Sequence, residues 1–272
     1  MRDMDVTSGA IPFLKWAGGK RWLVYYHHDI FPCSYNRYIE PFLGSGAVFF
    51  HLQPRNAILS DTNLELINCY QALKSDSDKV LKTLKQHDRK HCKDYYYHIR
   101  DAKPRNIYTR AARFIYLNRT CWNGLYRVNL NGQFNVPIGT KNNILLDTDT
   151  FDAVSKQLKG AEIRHSDFET VIDEAEKNDL IFIDPPYTVK HNYNGFIKYN
   201  ETLFNWEDQL RLRDATVRAK QRGAQIVLTN ADHKSIRALY RNDFDLYRVN
   251  RESVLAANSS FRGKVHELLV IA

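Results

Sequence analysis

The stretch YIEPFLGSGAVFF, residues 38–50, connects a strand to a helix through a glycine turn. Residues 37–42 are predicted to form a short strand, Gly44-Ser45-Gly46 a tight turn, and residues 47–52 the beginning of a helix. A Gly-x-Gly turn after a strand lets the backbone approach a ligand closely and directs a helix N-terminus towards it. The stretch therefore predicts an α/β fold with a ligand at this turn.

The same alternation of strand and helix recurs on both sides of a long polar section. Further strands are predicted at 56–59, 161–164, 180–183, 225–229, 244–249 and 265–271, and helices at 64–74, 169–176 and 206–222. This alternation is typical of a doubly wound α/β sheet with helices on both faces. We expect residues 11–70 and 147–272 to form this domain, and residues 71–146 to form an inserted, mostly helical subdomain.

Length and composition limit the class of protein. The chain has 272 residues, of which 43% are hydrophobic, enough for one large domain with an insertion. We expect no signal peptide, because the N-terminal residues do not resemble one, and no apolar run reaches membrane-spanning length. The four cysteines include no C-x-x-C pair, which favours free thiols in a reducing compartment. We expect a cytoplasmic protein that has no membrane partner.

The formal net charge of +8 is concentrated in one section of the chain. Residues 102–146 contain no Asp or Glu, and tyrosine, tryptophan and asparagine residues are interspersed among the cations. Composition alone leaves a solvated basic face as an equal alternative, but rings and amides beside cations favour a nucleic acid partner. The seven cations of this acid-free block are Lys103, Arg105, Arg110, Arg113, Arg119, Arg127 and Lys141.

Two further features indicate a cofactor that contains a nucleoside. Phe49 stands where the dinucleotide fingerprint needs a small residue, which argues against a nicotinamide or flavin cofactor. Asp61 ends the next predicted strand, where a carboxylate can hold ribose hydroxyls or can simply cap a helix. In FLKWAGGKRWL, residues 13–23, Trp16 can stack on an adenine, although the stretch can equally be a surface turn before a helix.

The segment DLIFIDPPYTVK, residues 179–190, places a carboxylate at the end of a buried strand. The two prolines of Asp184-Pro185-Pro186-Tyr187 cannot continue a sheet, because they lack N–H groups. Asp184 and a proline carbonyl can accept the two N–H groups of an exocyclic amine, while Tyr187 stacks on the base. These bonds would direct the amine lone pair at an electrophile. The alternative is a proline turn with Asp184 as a helix cap.

Together, several segments resemble the Dam family of DNA adenine-N6 methyltransferases, of class I and the D12 type. The segments are FLKWAGGK, YIEPFLGSGAVFF, LSDTNLELINCYQ, NRTCWNGLYRVNLNGQFNVPIG, SDFE, DPPY and SFRGKVHELL. The chain is most similar to members that methylate GATC, including those of DpnII-type restriction systems. The resemblance implies a Rossmann-like S-adenosylmethionine-dependent methyltransferase domain and an inserted target-recognition subdomain. It also implies methyl transfer to an adenine flipped out of duplex DNA.

The resemblance and the glycine turn together predict the residues of the active site. Asp184, Pro185, Pro186 and Tyr187 are expected to hold the adenine. The residues expected to bind S-adenosylmethionine are Trp16, Lys20, Glu40, Phe42, Gly44, Gly46, Asp61, Asp167, Phe168 and Asp184.

The same resemblance predicts the DNA-binding residues. Arg127 is suited to bidentate contact with guanine, Lys15 matches a position that reads the outer guanine in some members, and Trp122 can wedge into the base stack. The full predicted set is Lys15, Trp122, Asn123, Leu125, Arg127, Asn129, Asn135 and Pro137.

Several alternatives stay open at this point. Cytosine-N4 methyltransferases more often have serine at the position of Asp184, and protein-glutamine methyltransferases usually have asparagine there. A DNA-binding relative without activity is a third alternative. We expect no metal, because a sulfonium methyl group is already activated and the histidines of residues 87–98 lack a convincingly spaced fourth zinc ligand. A cognate restriction endonuclease that acts separately is an open partner.

Overall fold

The computed structural model describes residues 9–124, 126–129, 133–189, 204–252 and 264–272. The chain divides into two compact units. The first unit comprises Met1–Tyr25, Leu43–Arg55 and Asp61–His165, and the second comprises Tyr26–Phe42, Asn56–Ser60 and Ser166–Ala272. The domain limits predicted from the sequence stay a prediction.

A mixed sheet of seven strands is the main feature of the fold. The second unit contains six of these strands, in the order β2-β1-β4-β5-β7-β6. The last residue of β2 lies in the first unit. β1, β2, β4 and β5 are parallel, whereas β7 is antiparallel to both β5 and β6. These strands are β1 (Tyr38–Glu40), β2 (Ala57–Asp61), β4 (Leu180–Ile183), β5 (Gln225–Ala231), β6 (Asp245–Glu252) and β7 (Lys264–Ile271).

The core of the second unit follows from its apolar strands. All four residues of β4 are buried, as expected for a central parallel strand that is covered on both faces. Ile181 and Ile183 belong to one apolar cluster with Leu212 and Ile236, which come from helices. The helices of this unit are α8 (Phe168–Asp173), α9 (Trp206–Gln221) and α10 (Lys234–Tyr240).

The first unit is mostly helical and contains strand β3 (Ala161–His165). Helix α6 (Ile107–Thr120) lies at its centre, since every residue from Phe114 to Thr120 is buried. The side chain of Asn106 caps α6 by accepting the N–H groups of Tyr108 and Thr109. The remaining helices are α1 (Arg21–Tyr26), whose last residue belongs to the second unit, α2 (Ala47–Leu52), α3 (Leu64–Ser75), α4 (Ser77–Lys90), α5 (Lys93–Asp101) and α7 (Phe151–Leu158). A short 3-10 turn lies at Trp122–Gly124, and another lies at His28–Ile30 in the second unit.

The α/β fold class predicted from the sequence is confirmed. The strand predicted at residues 180–183 lies at Leu180–Ile183, while α7 and α10 had no prediction. All four cysteines are free. Within the described part of the chain, no helix is long and apolar enough to cross a membrane.

Candidate active site

Asp184 directly follows β4, and a neighbouring strand orients its carboxylate. The Thr229 hydroxyl in β5 donates a hydrogen bond of 2.8 Å to Asp184 Oδ1. Ile183 is paired with Leu228 in the parallel register of β4 and β5, so the next residues on both strands are neighbours. The sheet register and the Thr229 hydroxyl therefore both help to set the direction of this half-buried carboxylate.

Tyr187, three residues further on, is held by a buried carboxylate. Its hydroxyl donates a hydrogen bond of 2.6 Å to Oε2 of Glu267 in β7, which is only 1% exposed. Burial raises the pKa of Tyr187 well above its usual value, and the charges of Asp184 and Glu267 raise it further. The phenol thus stays protonated as a donor, and this bond restrains the ring that is predicted to stack on the base.

Thr229 and Glu267 were absent from the sequence prediction. Glu267 lies in SFRGKVHELL, one of the segments that support the resemblance, but it is 80 residues from Tyr187. Such a contact depends on which strands are neighbours in the sheet, and no local sequence pattern reports it.

A second group of residues in the same unit places aromatic rings, of which Phe168 is buried and Phe42 half-buried, beside a carboxylate. Phe42 and Phe168 are stacked, with ring centroids 5.4 Å apart and an interplanar angle of 23°. Asp167 caps α8 through the N–H of Glu169, and its Oδ1 also accepts a 2.8 Å bond from Arg211. The Arg211 guanidinium lies 4.8 Å from the Phe168 ring centroid. A flat ring next to a carboxylate can accept a planar heterocycle that has an amino group.

Glu40, at the end of β1, is buried inside the second unit. Its side chain is 2% exposed and accepts a hydrogen bond of 2.9 Å from the Tyr38 hydroxyl. Burial raises the pKa of Tyr38 well above its usual value, and the Glu40 charge adds to this effect.

The glycine turn in the first unit is built around Asp61. The N–H of Gly44 donates to Asp61 Oδ2 over 3.2 Å, and the N–H of Asn63 donates to Oδ1 over 2.9 Å. Burial raises the pKa of Asp61, and these two bonds oppose that effect. Gly44 has φ of 48°, and a Cβ atom there would lie 2.8 Å from Trp16 Cδ1. Only glycine both adopts this positive φ readily and lacks the Cβ atom that would clash with Trp16.

Trp16 and Lys20 both lie inside the first unit. Trp16 stacks on Tyr126 with ring centroids 6.0 Å apart, and Phe114 lies beside this pair. Lys20 is 2% exposed, and its Nζ donates a 2.7 Å bond to the carbonyl of Gly18. The stretch around these residues is therefore ordered by packing and is not only a surface turn.

Most of the predicted DNA-binding residues lie on one hairpin-like segment, which we call the 121–138 hairpin. Two isolated antiparallel bridges define it, namely Cys121 with Ile138 and Val128 with Phe134. Most of its polar and aromatic side chains that the structure describes are exposed, and Trp122 is 54% exposed. The predicted residues on it are Trp122, Asn123, Arg127, Asn129, Asn135 and Pro137, while Leu125 lies outside the described residues.

The acid-free block contributes less exposed charge than its composition indicates. Arg110 pairs with Glu65, Arg113 donates to the carbonyls of Ile99 and Arg100, and Arg119 pairs with Asp149. These three cations stabilise the first unit. The exposed cations of the block are Lys103, Arg105, Arg127 and Lys141.

The histidines that suggested a zinc site have other contacts. His87 Nδ1 lies 2.8 Å from the Tyr95 hydroxyl, and His91 Nδ1 lies 2.8 Å from the Tyr116 hydroxyl. In the part of the chain that the structure describes, no group of three or more His, Cys, Asp or Glu side chains is placed to hold a metal ion.

Comparison with known proteins assigns the family. Residues 16–255 match the family described as D12 class N6 adenine-specific DNA methyltransferase. The chain belongs to this family. It is 37% identical over 268 residues to a type II methyltransferase of Lactococcus lactis subsp. cremoris, covering 95% of this chain and 94% of that protein. A type II methyltransferase of Methanocaldococcus jannaschii is 34% identical, with 96% and 98% covered.

A relative named DNA adenine methylase, from Haemophilus influenzae, is 34% identical over 96% of this chain and 93% of its own length. The recognition of a D12-type adenine methyltransferase from the sequence is therefore confirmed, as is its activity as a site-specific, adenine-specific DNA methyltransferase. As a member of this family, the enzyme uses S-adenosylmethionine as methyl donor and DNA as substrate.

Proposed function

We propose that this D12-class methyltransferase binds duplex DNA at GATC, flips out the adenine and methylates its N6 atom at the end of β4. The observation that supports this most directly is the 2.8 Å hydrogen bond from Thr229 to Asp184. It orients a carboxylate beside two prolines and a ring that is itself restrained by Glu267. A target N6 atom lies inside the duplex, so the adenine must leave the stack to reach this position.

In this proposal, Asp184 and a carbonyl of Pro185 or Pro186 each accept one N–H of the adenine amine. The amine is a weak nucleophile, because its lone pair is delocalised into the ring. Two acceptors on a rigid backbone favour a pyramidal nitrogen and aim the lone pair, while Tyr187 stacks on the base. When bound, S-adenosylmethionine supplies an activated sulfonium methyl group. Positioning of this kind contributes up to about 7–11 kcal/mol in favourable cases.

The cofactor residues are proposed separately for each unit. In the second unit, the stacked Phe42 and Phe168 rings beside Asp167 fit an adenine and its amino group. In the first unit, the Gly44 turn and Asp61 fit a ribose or the methionine moiety, because a carboxylate at the end of a strand can hold ribose hydroxyls. The remaining proposed cofactor residues are Trp16, Lys20, Glu40, Gly46 and Asp184.

Sequence recognition is proposed to involve the 121–138 hairpin and Lys15. Arg127 is exposed and has the geometry for two hydrogen bonds to a guanine in the major groove. Trp122 is exposed and large enough to fill the space that a flipped adenine leaves. Asn123, Leu125, Asn129, Asn135 and Pro137 complete the proposed DNA contacts. Two relatives are named type II methyltransferases, so a separate cognate endonuclease in the same cytoplasm belongs to the proposal.

Methylation mapping tests this proposal. The chain is expressed in a host without DNA methylation, and modified bases are located by sequencing, with an empty vector as the control. We expect N6-methyladenine at nearly every GATC. Methylation of adenine in another sequence would remove GATC from the proposal. If N4-methylcytosine were the sole product, adenine N6 would be the wrong target atom.

A further inference from the structure

Asn118 lies in the last turn of α6, and its side chain is completely buried. Its Oδ1 accepts a 2.9 Å bond from the N–H of Lys15, and its Nδ2 donates a 2.8 Å bond to the carbonyl of Lys15. The amide thus satisfies both backbone groups of Lys15, as a neighbouring β-strand would. Its Nδ2 also lies 3.4 Å from the carbonyl of Gly124, in the 3-10 turn that follows α6.

Gly124 also contacts the Lys15 side chain. A Cβ atom on Gly124 would lie 2.6 Å from Lys15 Cδ and 3.2 Å from Lys15 Cβ. The aliphatic part of Lys15 therefore passes directly over Gly124, whose φ of 64° is favoured by glycine. Asn118 fixes the Lys15 backbone, and Gly124 limits the direction of its side chain.

We infer that Asn118 is a positioning residue for DNA sequence recognition, because it fixes Lys15 relative to the beginning of the 121–138 hairpin. This inference rests on the proposed role of Lys15 in reading a base. Residues 13–15 have no helix or strand of their own, so side chains must order them. A lysine amine on a flexible stem discriminates between bases only when its backbone is fixed, since hydrogen bonds weaken with poor direction.

The test measures methylation rates of Asn118→Ala on duplexes with each single base-pair change in the recognition site. We expect discrimination at one base pair to fall about tenfold, the size typical of one lost base contact. Lys15→Ala should reduce discrimination at the same base pair. The double variant should lose no more discrimination at this base pair than either single variant, because both substitutions remove the same interaction.

Asn106→Ala is the matched control. It removes the N-terminal cap of the same helix, where Asn106 accepts the N–H groups of Tyr108 and Thr109. It should lower the melting temperature and leave base discrimination unchanged. The inference is wrong, and Asn118 has only a structural role, in either of two cases. In the first, Asn106→Ala reduces discrimination at the same base pair; in the second, Asn118→Ala lowers the methylation rate equally on all duplexes.

Two further outcomes separate the inference from the proposed function. Unchanged discrimination in Lys15→Ala would refute base reading by Lys15, and with it the basis of the inference. Relaxed discrimination in Lys15→Ala with unchanged discrimination in Asn118→Ala would refute the inference alone. If Asn118→Ala does not fold, Gly124→Ala replaces it, since the added methyl group displaces the Lys15 side chain. Unchanged discrimination in that variant would also overturn the inference.

Discussion

The end of β4 in the second unit and residues 13–15 in the first unit are held in place by different means. At the end of β4, the backbone pairing of Ile183 with Leu228 sets the position, and Thr229 only orients the carboxylate. Residues 13–15 have no such pairing, and two side chains of α6, Asn118 and Arg119, bind their backbone groups. Substitutions near β4 should therefore affect the rate of methyl transfer more than the stability of the fold. Substitutions in α6 should instead change the position of all three residues 13–15.

The largest expected effect is on catalysis by the second unit. Asp184→Ala removes the acceptor for the adenine amine, and the single-turnover rate of methyl transfer should fall on the order of 10⁴-fold or more. DNA binding should change little, because the contacts proposed for sequence recognition lie in the first unit. Asp173→Ala, which breaks an exposed ion pair with Arg218, is the control and should keep its activity. An Asp184→Ala rate within a few-fold of wild type would contradict the proposed geometry.

The next effect concerns the stability of the first unit. Arg119 is 2% exposed, pairs with Asp149 and donates to the carbonyl of Phe13. Arg119→Met removes the guanidinium partner of the Asp149 carboxylate, which is only 10% exposed, and this should lower the free energy of unfolding by about 3–5 kcal/mol. Lys156→Met breaks an ion pair in which both side chains are more than 70% exposed, and should cost about 0–1 kcal/mol. Urea unfolding measures both variants. An equal loss of free energy of unfolding in the two variants would show that the stability of the first unit does not depend on the Arg119–Asp149 ion pair.

A smaller effect is expected on the pH dependence of stability. Burial, together with the charges of Lys90 and Arg113, lowers the pKa of His87 to about 4. Between pH 6.5 and 4, the unfolded chain binds a proton that the folded chain excludes, so the free energy of unfolding falls with falling pH. His87 should account for roughly 2 kcal/mol of the loss between pH 7 and pH 4.5. In His87→Gln, the free energy of unfolding should fall less steeply with falling pH. An unchanged dependence on pH would contradict the prediction.

The smallest expected effect is on base discrimination by an exposed residue. Arg127→Ala removes one proposed guanine contact and should reduce discrimination at one base pair about tenfold, or roughly 1.4 kcal/mol. Methylation rates on single-substituted duplexes measure this effect, and the melting temperature should stay unchanged. Unchanged preference at every base pair would remove Arg127 from the proposed contacts.

The sequence predicted the positions of strand ends better than the contacts made there. The apolar run of β4 followed by two prolines located Asp184 because each feature is local. The contacts of Asp184 with Thr229 and of Tyr187 with Glu267 join residues 45 and 80 positions apart. They follow from the strand order β4-β5-β7, in which β7 inserts antiparallel beside β5. A local pattern does not contain that order.

Charge and short helices show two other limits of sequence analysis. The acid-free block counts seven cations, but composition does not report that Arg110, Arg113 and Arg119 have partners within the first unit. Helices α7 and α10 are only 8 and 7 residues long, so their periodic patterns are short and tertiary packing stabilises them.

The most direct test of the central claim is a crystal structure of the enzyme with a GATC duplex and an unreactive analogue of S-adenosylmethionine. We predict that the target adenine is flipped out of the duplex and that its N6 atom lies about 2.7–3.2 Å from an Asp184 carboxylate oxygen. The Thr229 hydroxyl should still donate to Asp184. An adenine bound elsewhere, with the Asp184 carboxylate hydrogen-bonded only to groups of the protein, would contradict the account.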